Sequence, residues 1–298
     1  MAISRYSGLN ETIKKLGLKP RKRLGQNFLV SDAVLSKIIQ AAELSKEDVV
    51  LEVGPGLGIL TKALGERVQK VIGVELDNRL AGLLKKQLAD KNNIFIINGD
   101  ILKISLKELL GGITSQQEGK YSEVGKKYKV VANLPYYITS PVLRYFLESE
   151  IKPAIMVIMV QKEVAQAIAA KPGDMSLLSV SVQLYGSPAI IDYISPDSFY
   201  PPPNVDSAIV RIDVFEKPAV KIDDLSLFFR VVTAGYSSRR KQIHNSLRQG
   251  LQIDQNIIRT CLGEADIDGS RRAQSLSLVE WGKLYGAISN HMVTEKGN

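Results

Sequence analysis

The stretch Val49-Val50-Leu51-Glu52-Val53-Gly54-Pro55-Gly56-Leu57-Gly58 decides the reading of this chain. An apolar run stops at a glycine, and a helical pattern from Ile59 to Val68 follows at once. A short run with apolar side chains on both faces reads as a strand of a parallel sheet, covered by helices above and below. Glycine at 54, 56 and 58 lets the chain turn sharply and lets a ligand meet the backbone with no Cβ in the way.

Outward from this turn the pattern repeats. Ser31 or Asp32 caps a helix that carries Val34, Leu35, Ile38 and Ile39. Val71–Val74 is a second strand, and Asn78–Leu88 a helix with Leu80, Leu83, Leu84 and Leu88 on one face. Ile94–Ile97, Val130-Val131 and Ile155–Val160 are further strands, so strands and helices alternate as in an α/β fold. Val180–Leu184 and Ile209–Val214 read as later strands on either side of the turn Tyr200-Pro201-Pro202-Pro203. After Lys217 the pattern predicts helices over Leu225–Ala234, Arg240–Leu247, Gln255–Leu262 and Leu278–Ile288, a small all-α domain. Residues 111–128 read as a surface insertion with few large apolar side chains. The expected division is an arm at 1–30, a sheet domain at 31–215 and a helical domain at 216–298.

Composition narrows the class. The 298 residues are 45% hydrophobic and 23% charged, which excludes a disordered chain, a collagen and a disulfide-stapled mini-protein. Cys261 is the one cysteine, so no intramolecular disulfide forms, and with His244 and His291 it makes no zinc site. No metal is expected. The strongest apolar run, Ala154–Val160, falls far short of the roughly 20 residues that cross a bilayer. The N-terminus has no secretory apolar core, so a cytoplasmic protein is expected.

The net charge of +8 is unevenly placed. Residues 1–30 hold seven basic side chains, Arg21, Lys22 and Arg23 among them, against the single acidic Glu11. Residues 31–205 are balanced, and later clusters occur at Arg239-Arg240-Lys241 and Arg271-Arg272. A neutral body with basic ends suits a polyanionic partner, most simply nucleic acid, although a solvated basic tail fits the arm equally well.

The glycine turn is G-x-G-x-G, and Ile59 stands where the dinucleotide fingerprint needs its third glycine, so a pyrophosphate cradle is not supported. Glu75 ends the second strand, where a carboxylate accepts from both hydroxyls of a ribose. Asp100 follows the third strand and is placed to accept from an adenine amino group. Ribose and adenine reading without a phosphate site points to S-adenosylmethionine. The fourth strand ends in Ala132-Asn133-Leu134-Pro135-Tyr136-Tyr137. An exocyclic amine has its lone pair delocalised into the ring. Two acceptors, the Asn133 side chain and a carbonyl near Leu134, would hold its hydrogens and turn the lone pair toward a sulfonium methyl. Pro135 fixes the turn and Tyr136 is placed to stack on an extruded base. Phe199 reads either as a second stacking aromatic or as a core residue, and Glu52 either as functional or as structural.

These segments, together with Leu24-Gly25-Gln26-Asn27-Phe28-Leu29, Val160–Ala165, Phe199–Ala208, Ser238–Leu247 and Arg272–Leu278, run in order over residues 21 to about 285. The sequence resembles the small-subunit (16S) ribosomal RNA adenine N6,N6-dimethyltransferase family. The resemblance implies a Rossmann-like S-adenosylmethionine-dependent methyltransferase sheet with helices on both faces and a small helical C-terminal domain. It implies dimethylation of two adjacent adenosines near the 3′ end of small-subunit rRNA; a monomer is expected, and the dispersed basic features suit a pre-formed subunit particle better than a naked duplex. It assigns Asn27, Leu29, Gly54, Gly56, Glu75, Asp100 and Asn133 to the cofactor, and Asn133, Leu134, Pro135, Tyr136 and Phe199 to catalysis. Arg21, Lys22, Arg23, Arg239, Arg240, Lys241, Arg271 and Arg272 are the expected RNA contacts. The chain departs from the family at Ala132, where glycine is frequent, at Met175-Ser176, where Tyr-Gly is usual, and in the longer insertion. Competing readings are a macrolide-resistance type large-subunit (23S) methyltransferase, a non-catalytic assembly factor and a DNA adenine methyltransferase.

Overall fold

The computed structural model describes residues 20, 21, 24–111 and 128–296. The 111–128 insertion, apart from its two end residues, and Lys22 and Arg23 of the arm lie outside them. The chain forms two compact units, Met1–Ala165 with Ser187–Val214, and Gln166–Gly186 with Phe215–Asn298.

Among the described residues of the first unit nine strands form two sheets: β1 (Phe28–Leu29), β2 (Val49–Val53), β3 (Lys70–Glu75), β4 (Ile94–Asn98), β5 (Tyr128–Asn133), β6 (Ile155–Gln161), β7 (Gly186–Ile194), β8 (Phe199–Tyr200) and β9 (Ser207–Val214). The large sheet has the order β4-β3-β2-β5-β6-β9-β7, and β1 pairs with β8 in a two-stranded sheet. Strands β4 to β6 run parallel across β3, β2 and β5, and β9 returns antiparallel to β6. The expected strands Val71–Val74, Ile94–Ile97, Val130-Val131, Ile155–Val160 and Ile209–Val214 are present, each a residue or more longer than its apolar run, and β2 matches its run Val49–Val53. Every residue of β2 is buried, Glu52 included, as helices on both faces require. From β2 the chain winds outward to β3 and β4, then returns to the other side of β2 as β5. Ligands bind at such a switch point, outside the carboxyl ends of the strands. Gly54 and Asn133 sit there.

Ser31 caps the first helix, Asp32–Ala41, its side chain accepting from the Val34 amide at 3.4 Å. That helix buries Val34, Leu35, Ile38 and Ala41 against a core that includes Val50, Leu64, Val131, Val157 and Ile209.

The second unit holds helices Leu225–Tyr236, Ile243–Leu251, Gln255–Glu264 and Leu278–Lys296, the four expected, around Phe228, Val232, Leu247, Ile258 and Trp281. It also takes residues 166–186, which the sequence reading places with the sheet. The amides of Gly173 and Met175 donate to the Gln274 carbonyl at 2.9 and 3.2 Å, and Phe215 donates to the Tyr185 carbonyl at 2.8 Å. Within that segment the expected strand Val180–Leu184 is a helix, Leu177–Gln183. Ser176 and Ser179 form a reciprocal capping box that satisfies the first turn and overrides the β-branched alternation. The strand falls instead at β7, where Pro188 is tolerated because β7 is an edge.

The glycine turn generates a stability prediction. Gly58 has φ +77°, and a Cβ there would meet Leu84 Cδ2 at 2.5 Å. Gly82, exposed on the helix Asn78–Gln87, would meet nothing within 4 Å. Gly58→Ala should therefore lower stability by about 2 kcal/mol or more, and Gly82→Ala should leave it equal or raised by ~0.5–1 kcal/mol. Urea unfolding of the two variants checks this, and equal midpoints would refute it.

Candidate active site

A cavity of about 250 Å³ opens at the carboxyl ends of β2, β3 and β5 within the first unit. Asn27, Leu29, Gly54, Gly56, Glu75 and Asp100 line it, and so do Asn133, Leu134, Pro135 and Tyr136. Residues from five separate regions of sequence thus converge on one space.

The glycine turn forms the floor. Gly54, Gly56 and Gly58 all have positive φ, and the place of a Gly56 Cβ lies 3.2 Å from the Phe28 ring. Glu75 is 5% exposed and bridges two backbone amides. Its Oε2 accepts from Gly56 at 2.9 Å and its Oε1 from Asp77 at 2.8 Å. Burial raises its carboxyl above the ordinary range, opposed by those amide bonds. Glu52 also lines the cavity, and among the described residues its buried Oε2 has no hydrogen-bond partner. Burial pushes the Glu52 carboxyl up to about 8, with the Glu75 charge adding to the shift. Asp100 Oδ1 caps a short 3₁₀ turn through the Leu102 amide at 3.1 Å, and its Oδ2 is 3.9 Å from the exposed Lys103 ammonium. Open backbone at Gly54 and Gly56, with the Glu75 and Asp100 carboxylates on the same cavity, fits S-adenosylmethionine.

The opposite wall is the tip of β5. Asn133 Nδ2 donates to the Asn27 carbonyl at 3.0 Å, which fixes the carboxamide and leaves Oδ1 as an acceptor. Among the described residues no group donates to that oxygen. The Leu134 amide is held by the Met159 carbonyl at 3.2 Å. The Tyr136 hydroxyl meets the buried Ser207 Oγ at 2.5 Å, which anchors the ring, and burial raises its pKa.

Two expectations are corrected by the structure. Phe199 is 3% exposed, packs in the same core as Leu29, Ile194 and Ile209, and does not line the cavity. Its pairing with Leu29 in the β1–β8 sheet turns the ring inward, and the aromatic rings on the cavity are Phe28, Tyr136 and Tyr137. Arg271 is not offered to a partner. It pairs with Glu280 and donates to the Ser275 Oγ and carbonyl at 3.2 and 2.6 Å. Arg239, Arg240, Lys241 and Arg272 are exposed, with Lys241 reaching Gln249 at 2.8 Å. Arg21 lies 3.5 Å from Asp77.

Sequence reasoning missed Gln26, Tyr137 and Asp77. Tyr137 lines the cavity at 54% exposure, and its ring lies 3.4 Å from the place of a Gly25 Cβ. Asp77 precedes a helical pattern and could have been read as an N-cap, but its partner Gln26 is 51 residues away.

The fold and this site define a Rossmann-like, S-adenosylmethionine-dependent methyltransferase. Residues 17–283 match the family model described as ribosomal RNA adenine dimethylase, and the chain belongs to that family. It is 47% identical over 283 residues to a ribosomal RNA small subunit methyltransferase A of Dehalococcoides mccartyi, covering 95% of this chain and 93% of the relative. A protein of the same name from Clostridium botulinum is 42% identical over 280 residues, covering 93% and 97%. Among solved structures, a dimethyladenosine transferase from Plasmodium falciparum matches with TM-score 0.73 and 25% identity over 88% of this chain and 98% of that one. The 23S rRNA methyltransferase ErmE matches with TM-score 0.67 and 25% identity over 88% and 100%.

The Arg271–Glu280 pair gives a pH prediction. The Arg271 hydrogen bond, with the Ser277 bonds, holds Glu280 down to about 2 from an ordinary 4.5, against the cost of burial. A depressed carboxylate contributes stability that is complete above its unfolded value and lost as pH falls toward its folded value. Thermal melts between pH 6 and pH 3 should therefore show a decline that Glu280→Gln flattens. Arg271→Ala should lower the midpoint at pH 7, while Arg272→Ala should not. Identical profiles for wild type and Glu280→Gln would show that the pair contributes nothing.

Proposed function

We propose that this chain transfers methyl groups from S-adenosylmethionine to N6 of two adjacent adenosines near the 3′ end of 16S rRNA, dimethylating each as the small ribosomal subunit matures. It is an S-adenosylmethionine-dependent rRNA adenine dimethyltransferase. The observation that carries the chemistry is the fixed Asn133 carboxamide, tied through Nδ2 to Asn27 with its acceptor oxygen left over.

The cofactor supplies an electrophilic methyl on a sulfonium. The chain supplies position. Gly54 and Gly56 keep the floor of the cavity open to backbone approach, Glu75 accepts from the ribose, and Asp100 from the adenine amino group. Asn27 and Leu29 cover the site from the N-terminal side. Asn133 Oδ1 and the Leu134 carbonyl accept the two hydrogens of the target amine, which localises its lone pair. Pro135 holds the two acceptors in one turn, with φ −58° and its ring 3.8 Å from the place of a Gly54 Cβ. Tyr136 stacks on the base, which must leave its own stack to reach the cavity. Phe199 is not assigned a contact with the base.

Arg239, Arg240, Lys241 and Arg272, with the arm residues Arg21, Lys22 and Arg23, are the proposed phosphate contacts. A pre-formed subunit particle suits dispersed contacts better than a naked duplex does. The chain is proposed to act as a monomer. Among the described residues no helix is long and apolar enough to cross a membrane, and a cytoplasmic setting is proposed with the substrate. The 23S reading draws on the 25% identical ErmE. The small-subunit reading draws on relatives at 42 and 47% identity over nearly the whole chain, and is preferred.

Incubation with methyl-labelled S-adenosylmethionine and unmodified small subunits should place label in N6,N6-dimethyladenosine. Label confined to large-subunit RNA would overturn the target. Asn133→Ala should lower turnover by about 100-fold or more while RNA affinity holds. Near-normal turnover would sink the amine-holding role. Replacing Arg239, Arg240 and Lys241 together with alanine should weaken binding to small subunits and reduce its dependence on log salt by about one unit per lost contact. An unchanged slope would remove this cluster from the interface.

A further inference from the structure

We propose that Gln26 and Asp77 are positioning residues that latch the segment Gly25–Leu29 across the cavity and so set how long the cofactor stays. The proposal rests on reading that cavity as the S-adenosylmethionine site.

Residues 25–29 all line the cavity, yet among them only Phe28 and Leu29 belong to a regular element, the short β1. The segment is therefore a strap held by its contacts. On the β5 side Asn133 donates to the Asn27 carbonyl, and Pro135 and Tyr137 pack at Gly25. On the β3 side its side-chain polar contacts run through one residue. Gln26 Nε2 donates to Asp77 Oδ2 at 3.1 Å, and Arg21 Nη1 lies 3.5 Å from Asp77 Oδ1. The Arg21 amide donates to Gln26 Oε1 at 2.8 Å, so both ends of the Gln26 carboxamide are engaged and its orientation is fixed.

Asp77 is built for this. Its side chain is fully shielded from solvent. Arg79 holds it through Nε at 3.2 Å, Nη2 at 2.9 Å and its amide at 3.1 Å. Arg79 first, then Gln26, keep the carboxyl down at about 2, so it is ionised at neutral pH. The Asp77 amide meanwhile donates to Glu75 Oε1. One residue thus orients the ribose acceptor with its backbone and holds the strap with its side chain. Lifting the strap strips a buried carboxylate of a donor, a cost larger than that of a neutral hydrogen bond. None of these atoms reaches the reacting amine, and the Asn27–Asn133 bond on the β5 side does not pass through Gln26 or Asp77, so the latch governs residence of the cofactor and leaves the tie at Asn133 in place.

The test uses the full chain with Gln26→Ala, Asp77→Asn and the double variant. Asparagine keeps the helix cap and the backbone bond to Glu75 while removing the charge, and Gln26→Ala keeps the test open if the Asp77 variant folds poorly. Calorimetry and stopped-flow release of S-adenosylmethionine give affinity and dissociation rate, and assays on small subunits give KM and kcat. Each single variant should raise the dissociation constant roughly tenfold, mainly through faster release, the loss of about one charge-assisted bond. KM for S-adenosylmethionine should rise while kcat at saturation stays within about twofold, since the interaction lost is not specific to the transition state. The double variant should be no weaker than the worse single one. Wild-type affinity in Gln26→Ala, a fall in kcat with unchanged KM, or additive losses would each overturn the latch. If the wild type itself fails to bind S-adenosylmethionine, the reading of the cavity falls first.

Discussion

The 2.9 Å hydrogen bond between the Gly56 amide and the Glu75 carboxylate is the contact on which the site depends. It joins the turn after β2 to the end of β3, and it forms only if that turn adopts left-handed φ values at Gly54, Gly56 and Gly58. Side chains there would carry strain, and one at Gly58 would also collide with Leu84 while one at Gly56 would press on the Phe28 ring. Gly58 is therefore required twice, by the backbone and by packing, whereas at Gly54 the backbone alone makes the demand. The carboxylate that the Gly56 amide meets is buried, and burial alone would favour its neutral form. The two amide bonds oppose that shift and hold the group in place.

The second half of the site depends on a tie of different origin. β5 returns to the other side of β2, which brings Asn133 to the switch point. An asparagine there has one donor end and one acceptor end, and either could face the cavity. The Asn27 carbonyl consumes the donor end. An N-terminal segment 106 residues away thereby decides which end of the Asn133 carboxamide stays available in the cavity. A segment with little regular structure thus both lines the cavity and orients Asn133.

The strands of the parallel sheet, the glycine turn, Glu75, Asp100 and the Asn133–Tyr136 exit were legible because each follows from local pattern. A buried strand announces its own end, and polar residues at that end have few structural reasons to be there. Val180–Leu184 was misread because alternating branched residues fit a strand, while the Ser176–Ser179 capping box acts over three residues and favours a helix. Phe199 could not be resolved from spacing. Its burial follows from the pairing of β8 with β1, two elements of two residues each, too short to leave a pattern. Gln26 and Asp77 were invisible for the same reason, since their contact spans 51 residues and uses residue types common on any surface.

Adjacent arginines show where a charge count stops being informative. Arg271 and Arg272 are neighbours in sequence and equal in charge, yet only Arg272 is exposed. Arg271 has its guanidinium shared among Glu280, the Ser275 hydroxyl and the Ser275 carbonyl. To reach a phosphate it would have to leave Glu280, a carboxylate that it holds far below its ordinary pKa. The attraction of a phosphate would then have to exceed an interaction already satisfied in the free protein. Arg272 has no such competitor among the described residues. Binding that depends on counterion release draws on charges that are solvated before the partner arrives. The basic surface of this chain is therefore smaller than its sequence suggests, and the residues that compose it are those the fold leaves unpaired.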